Sequence, residues 1–462
     1  MELFSVPLPV NRFASLMARS TVFFLLFFAF HGTGKGEDWK NFRGNNRDGK
    51  SETTGIGSSW KRSAPGLVRI LEGAGMGYAS LCVVKNRVYT TGNSDRSQFV
   101  VGFSLETGEQ LWKTEIVDVI PNHATPGSRS TPTWFAGNLY VVASSGQILC
   151  LDDSTGKIRW QKNFQKEYGG KLMSGWGYSE SPYVDADRIV FTPGGENDLV
   201  VALREVASPA DGQNGVQQPG GAVQVQKEWS LPESMLGNGK NLENRSLLSG
   251  AAYSSILRST NLGVTQYIQF VAGGIAGIDA VSGKLLWSNS SVANRTANIC
   301  MPLVYEDYLV YSSAPGGGLA IYRFEKKSGE LNLRPVRVFR SRQLQCHHGG
   351  MIAHKGFLYF GSGENRGYPT CVDLKQGTIR WGGSFRGPGR GSASVVYVDD
   401  KVLFRYQNGV VALVEASSEK YNLLGHFRQE IASNNRSWAH PVVVDGKLLL
   451  REQDQIMIYD LR

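Results

Sequence analysis

An all-β, eight-bladed β-propeller with four-stranded antiparallel blades is the fold this sequence predicts. Three observations predict it. An eleven-residue motif with Gly and Trp in fixed register occurs four times: GFSLETGEQLW (102–112), CLDDSTGKIRW (150–160), GIDAVSGKLLW (277–287) and CVDLKQGTIRW (371–381). A strand, a short Asp/Gly/Asn turn and a second strand recur eight times, from GYASLCVVKNRVYTTG (77–92) to SWAHPVVVDGKLLLRE (437–452). Finally, LVRIL (67–71) precedes the first copy without a partner, while the last copy ends near the C-terminus without a Gly-x-x-x-Trp strand. The orphan segment is therefore expected to supply the outer strand of blade eight and clasp the ring shut.

Each element follows from its residues. Apolar residues alternate on both sides of each motif's turn, the period of a strand. Gly108, Gly156, Gly283 and Gly377 suit a positive-φ turn position, and the preceding Asp or Ser/Thr can cap turn amides. Trp112, Trp160, Trp287 and Trp381 hold a fixed place on the returning strand, where a flat side chain fills space between packed sheets. A lone four-stranded unit cannot bury both faces, so neighbouring blades must cover them and ring closure leaves few free edges. Blades five and seven lack the Trp, with SGELNL (328–333) and SEKYNLLG (418–425) in its place, and are expected to be less regular.

The domain reading is a signal peptide over 1–36, an N-terminal cap over 37–66 and the propeller over 67–462. Within the propeller, 208–226 is expected to be an exposed insertion. A short helix is expected within 231–249. Trp39 and Phe42 are expected to anchor the cap on the outside of the ring. Arg12 and Arg19 precede the apolar run STVFFLLFFAF (20–30), which small and polar residues follow, the layout of a secretory signal. The run is short for a membrane span. Loss of 1–36 removes Arg12, Arg19, Lys35 and Glu2, lowering the formal charge of +9 by two. No dense Lys/Arg block remains, which argues against nucleic acid. The five cysteines, Cys82, Cys150, Cys300, Cys346 and Cys371, lie in or beside apolar runs and read as small core residues.

The eleven-residue repeat resembles the pyrroloquinoline quinone (PQQ) enzyme repeat. That repeat is shared by quinoprotein alcohol dehydrogenases and by the propeller lipoprotein of the outer-membrane β-barrel assembly machinery. WKNFRGNNRDG, SGWGYSESPYVDADRIVFTPGG, HHGGMIAHKGFLYFG and SWAHPVVVDGKLLLREQD are similar to the secreted PQQ-like propeller proteins of bacteria. The resemblance covers residues 38–462 and implies an extracytoplasmic eight-bladed propeller. It is specific for fold and not for function, because the repeat residues are structural.

For the dehydrogenases, the resemblance implies PQQ held over Ca²⁺ by acidic and amide side chains, with two adjacent cysteines stacked on the cofactor. This chain has no adjacent Cys pair. Asp185, Asp187, Asp399, Asp400 and Asp445 fall in hairpin turns, where Asp is ordinary. Polar residues near the starts of the innermost strands line the channel and its rim, where propeller ligands bind. The candidates are His123, Arg129, Trp176, Glu180, Arg258, His347, His348, Arg390, Arg436, Trp438 and His440. Cations and aromatics dominate this set, which suits an anionic ligand. CHHGG (346–350) carries good metal ligands, but successive strand residues face opposite ways, so no metal site is expected. The function expected is a monomeric binding or scaffold module for envelope proteins or a small anion. The alternatives are a PQQ-dependent oxidoreductase and a hydrolase or lyase on acidic polysaccharide; His, Arg and Tyr converging in the channel would favour the latter.

Overall fold

The computed structural model describes residues 37–117, 123, 125–186, 188–207, 223–238 and 249–462. The signal segment 1–36 and residues 208–222 of the expected insertion lie outside the described residues. Eight four-stranded antiparallel sheets form the ring. Seven are built from consecutive strands: blade one spans 82–117, two 133–163, three 183–231, four 257–289, five 303–340, six 352–382 and seven 393–428. Blade eight takes three strands from the C-terminus and its outer strand, Gly66–Glu72, from the N-terminus, with Leu71 opposite Ile456 and Gly66 opposite Asp460. Inside the ring, Arg451 of blade eight seals the same seam. It donates to the carbonyl of Gly75 at 2.9 Å, on the connection into blade one, and to that of Thr91 of blade one at 2.7 Å.

The Gly-x-x-x-Trp motif joins blades to one another. A Cβ on Gly156 of blade two would lie 2.5 Å from Trp112 of blade one, so Gly leaves room for the neighbour's indole. Trp112 donates to the Asp153 carbonyl of that same turn at 3.0 Å. Trp160 likewise reaches Glu205 of blade three at 2.9 Å. The outer pair of every blade carries a β-bulge; in blades one to seven it lies directly before the Trp position, where it re-aims the side chain that stands there. Blade three places Trp229 there. Blades five and seven keep four strands and the same bulge despite losing the Trp, so the expected irregularity is absent. Gly425 occupies the Trp position of blade seven, and the missing ring comes from elsewhere. Trp60 of the N-terminal segment lies over it, hydrogen-bonds through its amide to the Leu424 carbonyl at 2.9 Å and stacks edge-on with Phe427.

The largest departure from expectation is the segment 37–53, which does not sit on the outside. It threads the channel and meets the innermost strands. Those strands have one edge paired within the blade and the other facing the channel, leaving backbone groups in need of partners. Trp39 exchanges backbone hydrogen bonds with Val83, Lys40 accepts from Trp134, and Gly49 and Ser51 bond to Tyr397. Arg47 is 1% exposed and donates to the carbonyls of Ser181 at 3.0 Å and Ile256 at 2.9 Å. Arg43 is 4% exposed and donates to the Met351 carbonyl at 2.5 Å. Phe42 meets His440 edge-on, and Lys50 lies over Tyr305. The segment is the hub of the wheel, touching all eight blades.

Smaller elements follow local rules. Phe164–Tyr168, which the strand pattern hid, forms one helical turn, capped by the Asn163 side chain and ended by Gly169 in the left-handed region. Glu233–Asn238 is a 3₁₀ turn. All five cysteines are buried and unpaired by disulfides.

Trp160→Ala and Trp60→Ala should each lower the unfolding free energy by about 3–5 kcal/mol, the scale for a buried aromatic, although Trp60 lies outside every blade. Urea titration measures this, and a near-neutral Trp60→Ala would mean that blade seven needs no borrowed ring. Glu180 beside the hub supplies a pH signature. Burial raises its carboxyl pKa from 4.5 to about 8. The folded chain therefore holds a proton that the unfolded chain releases above 4.5, and that contribution is lost as pH rises through about 8. Stability should decline across this window and the decline should shrink in Glu180→Gln; identical slopes would show an ionised Glu180 in the fold.

Candidate functional site

A cavity of about 410 Å³ opens at the end of the ring where the innermost strands begin. Seven sequence candidates line it: Arg129, Trp176, His347, His348, Arg436, Trp438 and His440. They come from the loops that lead from one blade's outer strand into the next blade's innermost strand, so the ring gathers residues more than 300 positions apart. Phe42 and Arg43 of the hub also line the cavity, closing its inner end. Tyr78 and Tyr253 add aromatic wall.

The two arginines differ in what they have left to offer. Arg129 is spent on the loop: it donates to the carbonyls of Gly127 at 3.1 Å and Trp176 at 2.8 Å, and to that of Thr125. Arg436 is exposed and stacks over Trp438 with its guanidinium carbon 4.7 Å from the ring centroid. Its guanidinium makes no ion pair or hydrogen bond among the described residues, so the fold draws off none of its donors.

Two of the three histidines are held by hydrogen bonds. His440 Nε2 donates to the His348 carbonyl at 2.8 Å, leaving its Nδ1 to accept from Arg43 at 3.4 Å. Ser392 spends its hydroxyl proton on the Glu364 carbonyl at 2.6 Å, so His347 must donate Nδ1–H to that hydroxyl at 2.9 Å. Burial is the first cause lowering all three pKa values, with Arg436 or Arg43 adding to it: His347 falls to about 4, His440 to about 3 and His348 well below 6.5. The imidazoles are thus neutral near pH 7, and the funnel's charge is carried by arginine. His348 Nε2 is buried with no hydrogen-bond partner among the described residues.

Four candidates lie elsewhere. Glu180 is 3% exposed and turned inward, accepting from the Thr192 amide at 2.7 Å. Arg258 is drawn off by Asp185 at 2.8 Å, toward the hairpin end of its strand. His123 packs against Gly177, whose added Cβ would lie 2.4 Å from its ring. Arg390 lines a neighbouring depression. The sequence reading missed Glu364 and Asn365, because it searched the strand starts and not the loops between second and third strands, which reach the same rim. Asp187 lies outside the described residues.

Residues 96–383, more than half of the chain, match the family described as outer membrane protein assembly factor BamB. The chain is 23% identical over 253 residues to the assembly factor BamB of Shewanella oneidensis, covering 53% of each protein, so it spans about half the length of that curated relative. Among solved structures, BamB from Moraxella catarrhalis superposes with a TM-score of 0.55 at 13% identity, over 86% of this chain and all of that one. The quinohemoprotein alcohol dehydrogenase of Comamonas testosteroni does so with a TM-score of 0.58 at 13% identity, over 92% of this chain and 80% of that one. These two likenesses are of fold alone.

The residues do not fit a calcium-bound quinone. Among the described residues, no group of three or more His, Cys, Asp or Glu is placed to hold a metal ion, and Glu364 is the one carboxylate lining the funnel. What the chain shares with its relatives is the repeat and the ring built from it: it belongs to the PQQ-repeat family of the outer membrane protein assembly factor BamB.

Proposed function

We propose that this chain is an extracytoplasmic binding propeller, working at the cell envelope, that holds an anionic group of its ligand at Arg436 in the strand-start funnel. The observation that carries this reading is Arg436 itself: a guanidinium backed by an indole, at the mouth of an aromatic cavity, with its donors unspent. A planar, delocalised cation on an aromatic face presents paired N–H groups to a carboxylate or sulfate at little cost in freedom. The family's name, an assembly factor, supports a holding role rather than a chemical one. Among the described residues, no helix is long and apolar enough to cross a membrane.

One observation favours a lyase or hydrolase instead. His347 keeps its Nε2 lone pair, and Arg436 and Tyr78 line the same cavity. Its pKa of about 4 makes it a weak proton acceptor near neutrality, so binding is the better-supported reading.

Titration with inorganic sulfate and with benzoate, followed by Trp fluorescence, tests the proposal. Arg436→Ala should weaken binding roughly 10- to 100-fold, the worth of one charge-assisted bidentate contact. Affinity should stay flat between about pH 5.5 and 8, because burial keeps His347, His348 and His440 neutral there. Equal affinity in wild type and Arg436→Ala, or affinity rising steeply as pH falls through about 6.5, would overturn the assignment.

A further inference from the structure

The funnel is continuous with two more depressions on the same face. One, of about 310 Å³, shares Glu364 with the funnel and is lined by Arg342, Arg366 and neutral polar side chains that include Gln343, Gln345 and Ser362. The other, of about 440 Å³, shares Asn365 with the funnel and Arg366 with its neighbour, and adds Arg386 and Arg390. All of these arginines come from the outer-to-inner and second-to-third strand loops of blades five to seven. With Arg436 they make a run of five exposed guanidiniums. The ion pairs nearby take other arginines, Arg323, Arg334 and Arg405, and none takes one of the five among the described residues. Across the three depressions, Glu364 is the one lining carboxylate among the described residues.

We propose that this groove binds an acidic polysaccharide, carrying sulfate or uronate groups, which runs over blades five to seven and ends in the funnel. The proposal rests on the funnel being an anion site and extends it to a chain of anions. Five unpaired guanidiniums along one path suit a ligand that repeats its charge. The serine and glutamine side chains between them offer neutral donors and acceptors suited to sugar hydroxyls. The rings of Trp438, Trp176 and Tyr78 offer flat apolar faces to pyranose C–H edges inside the cavity.

The test compares the purified protein's affinity for dextran sulfate and polyuronate chains of increasing length with that for the corresponding sulfated or uronate monosaccharide. Affinity should rise at least tenfold from monomer to octamer. It should also fall with salt more steeply for the polymer, since more ions are displaced. Replacing Arg342, Arg366, Arg386 and Arg390 together by Ala should return the polymer to monomer affinity, with monomer affinity and melting temperature unchanged. These four side chains make no ion pair among the described residues, so the variant should fold. Length-independent affinity with the monomer still bound overturns the groove and leaves the funnel reading standing. Loss of small-anion binding in the wild type overturns both. Single-stranded polynucleotide or polyglutamate of equal charge binding as tightly as the sulfated polymer overturns the saccharide class.

Discussion

Every blade of this ring presents an unpaired strand edge to the channel, and the rest of the structure depends on how those edges are satisfied. An innermost strand pairs on one side only, so its other row of amides and carbonyls must find water or protein. Most of these strands are three residues long, as in Cys82–Val84 and Val442–Val444, which limits the exposed row. The hub segment answers much of what remains. Part of it behaves as added strand, as where Trp39 pairs with Val83. The rest works through two arginines whose forked heads bond to carbonyls of several blades at once. A buried charge normally needs a counter-charge. Here the oriented carbonyl dipoles around Arg47 replace lost water, and burial lowers its pKa only to about 10, so it stays charged at neutral pH.

The hub also sets the conditions of the candidate site. Arg43 and Phe42 close the funnel's inner end, and Arg43 fixes His440, which in turn holds the His348 carbonyl. The outer rim is fastened independently: Trp112 and Trp229 dock over Gly156 and Gly283 of the next blade, while Trp160 and Trp381 bond to Glu205 and the Ser417 carbonyl there. Trp60 links the two systems, because the chain that leaves the hub crosses to blade seven and fills the place of its missing Trp. Fold closure and site geometry thus share one stretch of sequence, residues 37–72.

The outer fastening was legible because it is written in side chains: a Gly and a Trp at fixed offsets, with alternating apolar residues around them. The hub was not, because its partners are main-chain carbonyls, which every residue carries and no pattern marks. Arg43 and Arg47 also adopt left-handed backbone, φ 67° and 56°, which ordinary propensity does not assign to arginine. For the site, nearness to a strand start was enough to gather Arg129, Trp176, His347 and Trp438. It misplaced Glu180 and Arg258, since nearness says nothing of which way a side chain points. The groove escaped notice because Arg342, Arg366, Arg386 and Arg390 are far apart in sequence and form no charge run; only the stacking of loops on one face brings them together.

A propeller held from its axle carries on its strand-start face five exposed arginines that no ion pair among the described residues uses. The measurement that bears most directly on this account is urea unfolding, with Trp fluorescence, of the protein and of a chain lacking residues 37–53. The account predicts that the shortened chain loses on the order of several kcal/mol and unfolds less cooperatively, since charge-assisted bonds to many blades vanish together. An unchanged midpoint and slope would contradict it, and would mean that the ring stands on its outer fasteners alone.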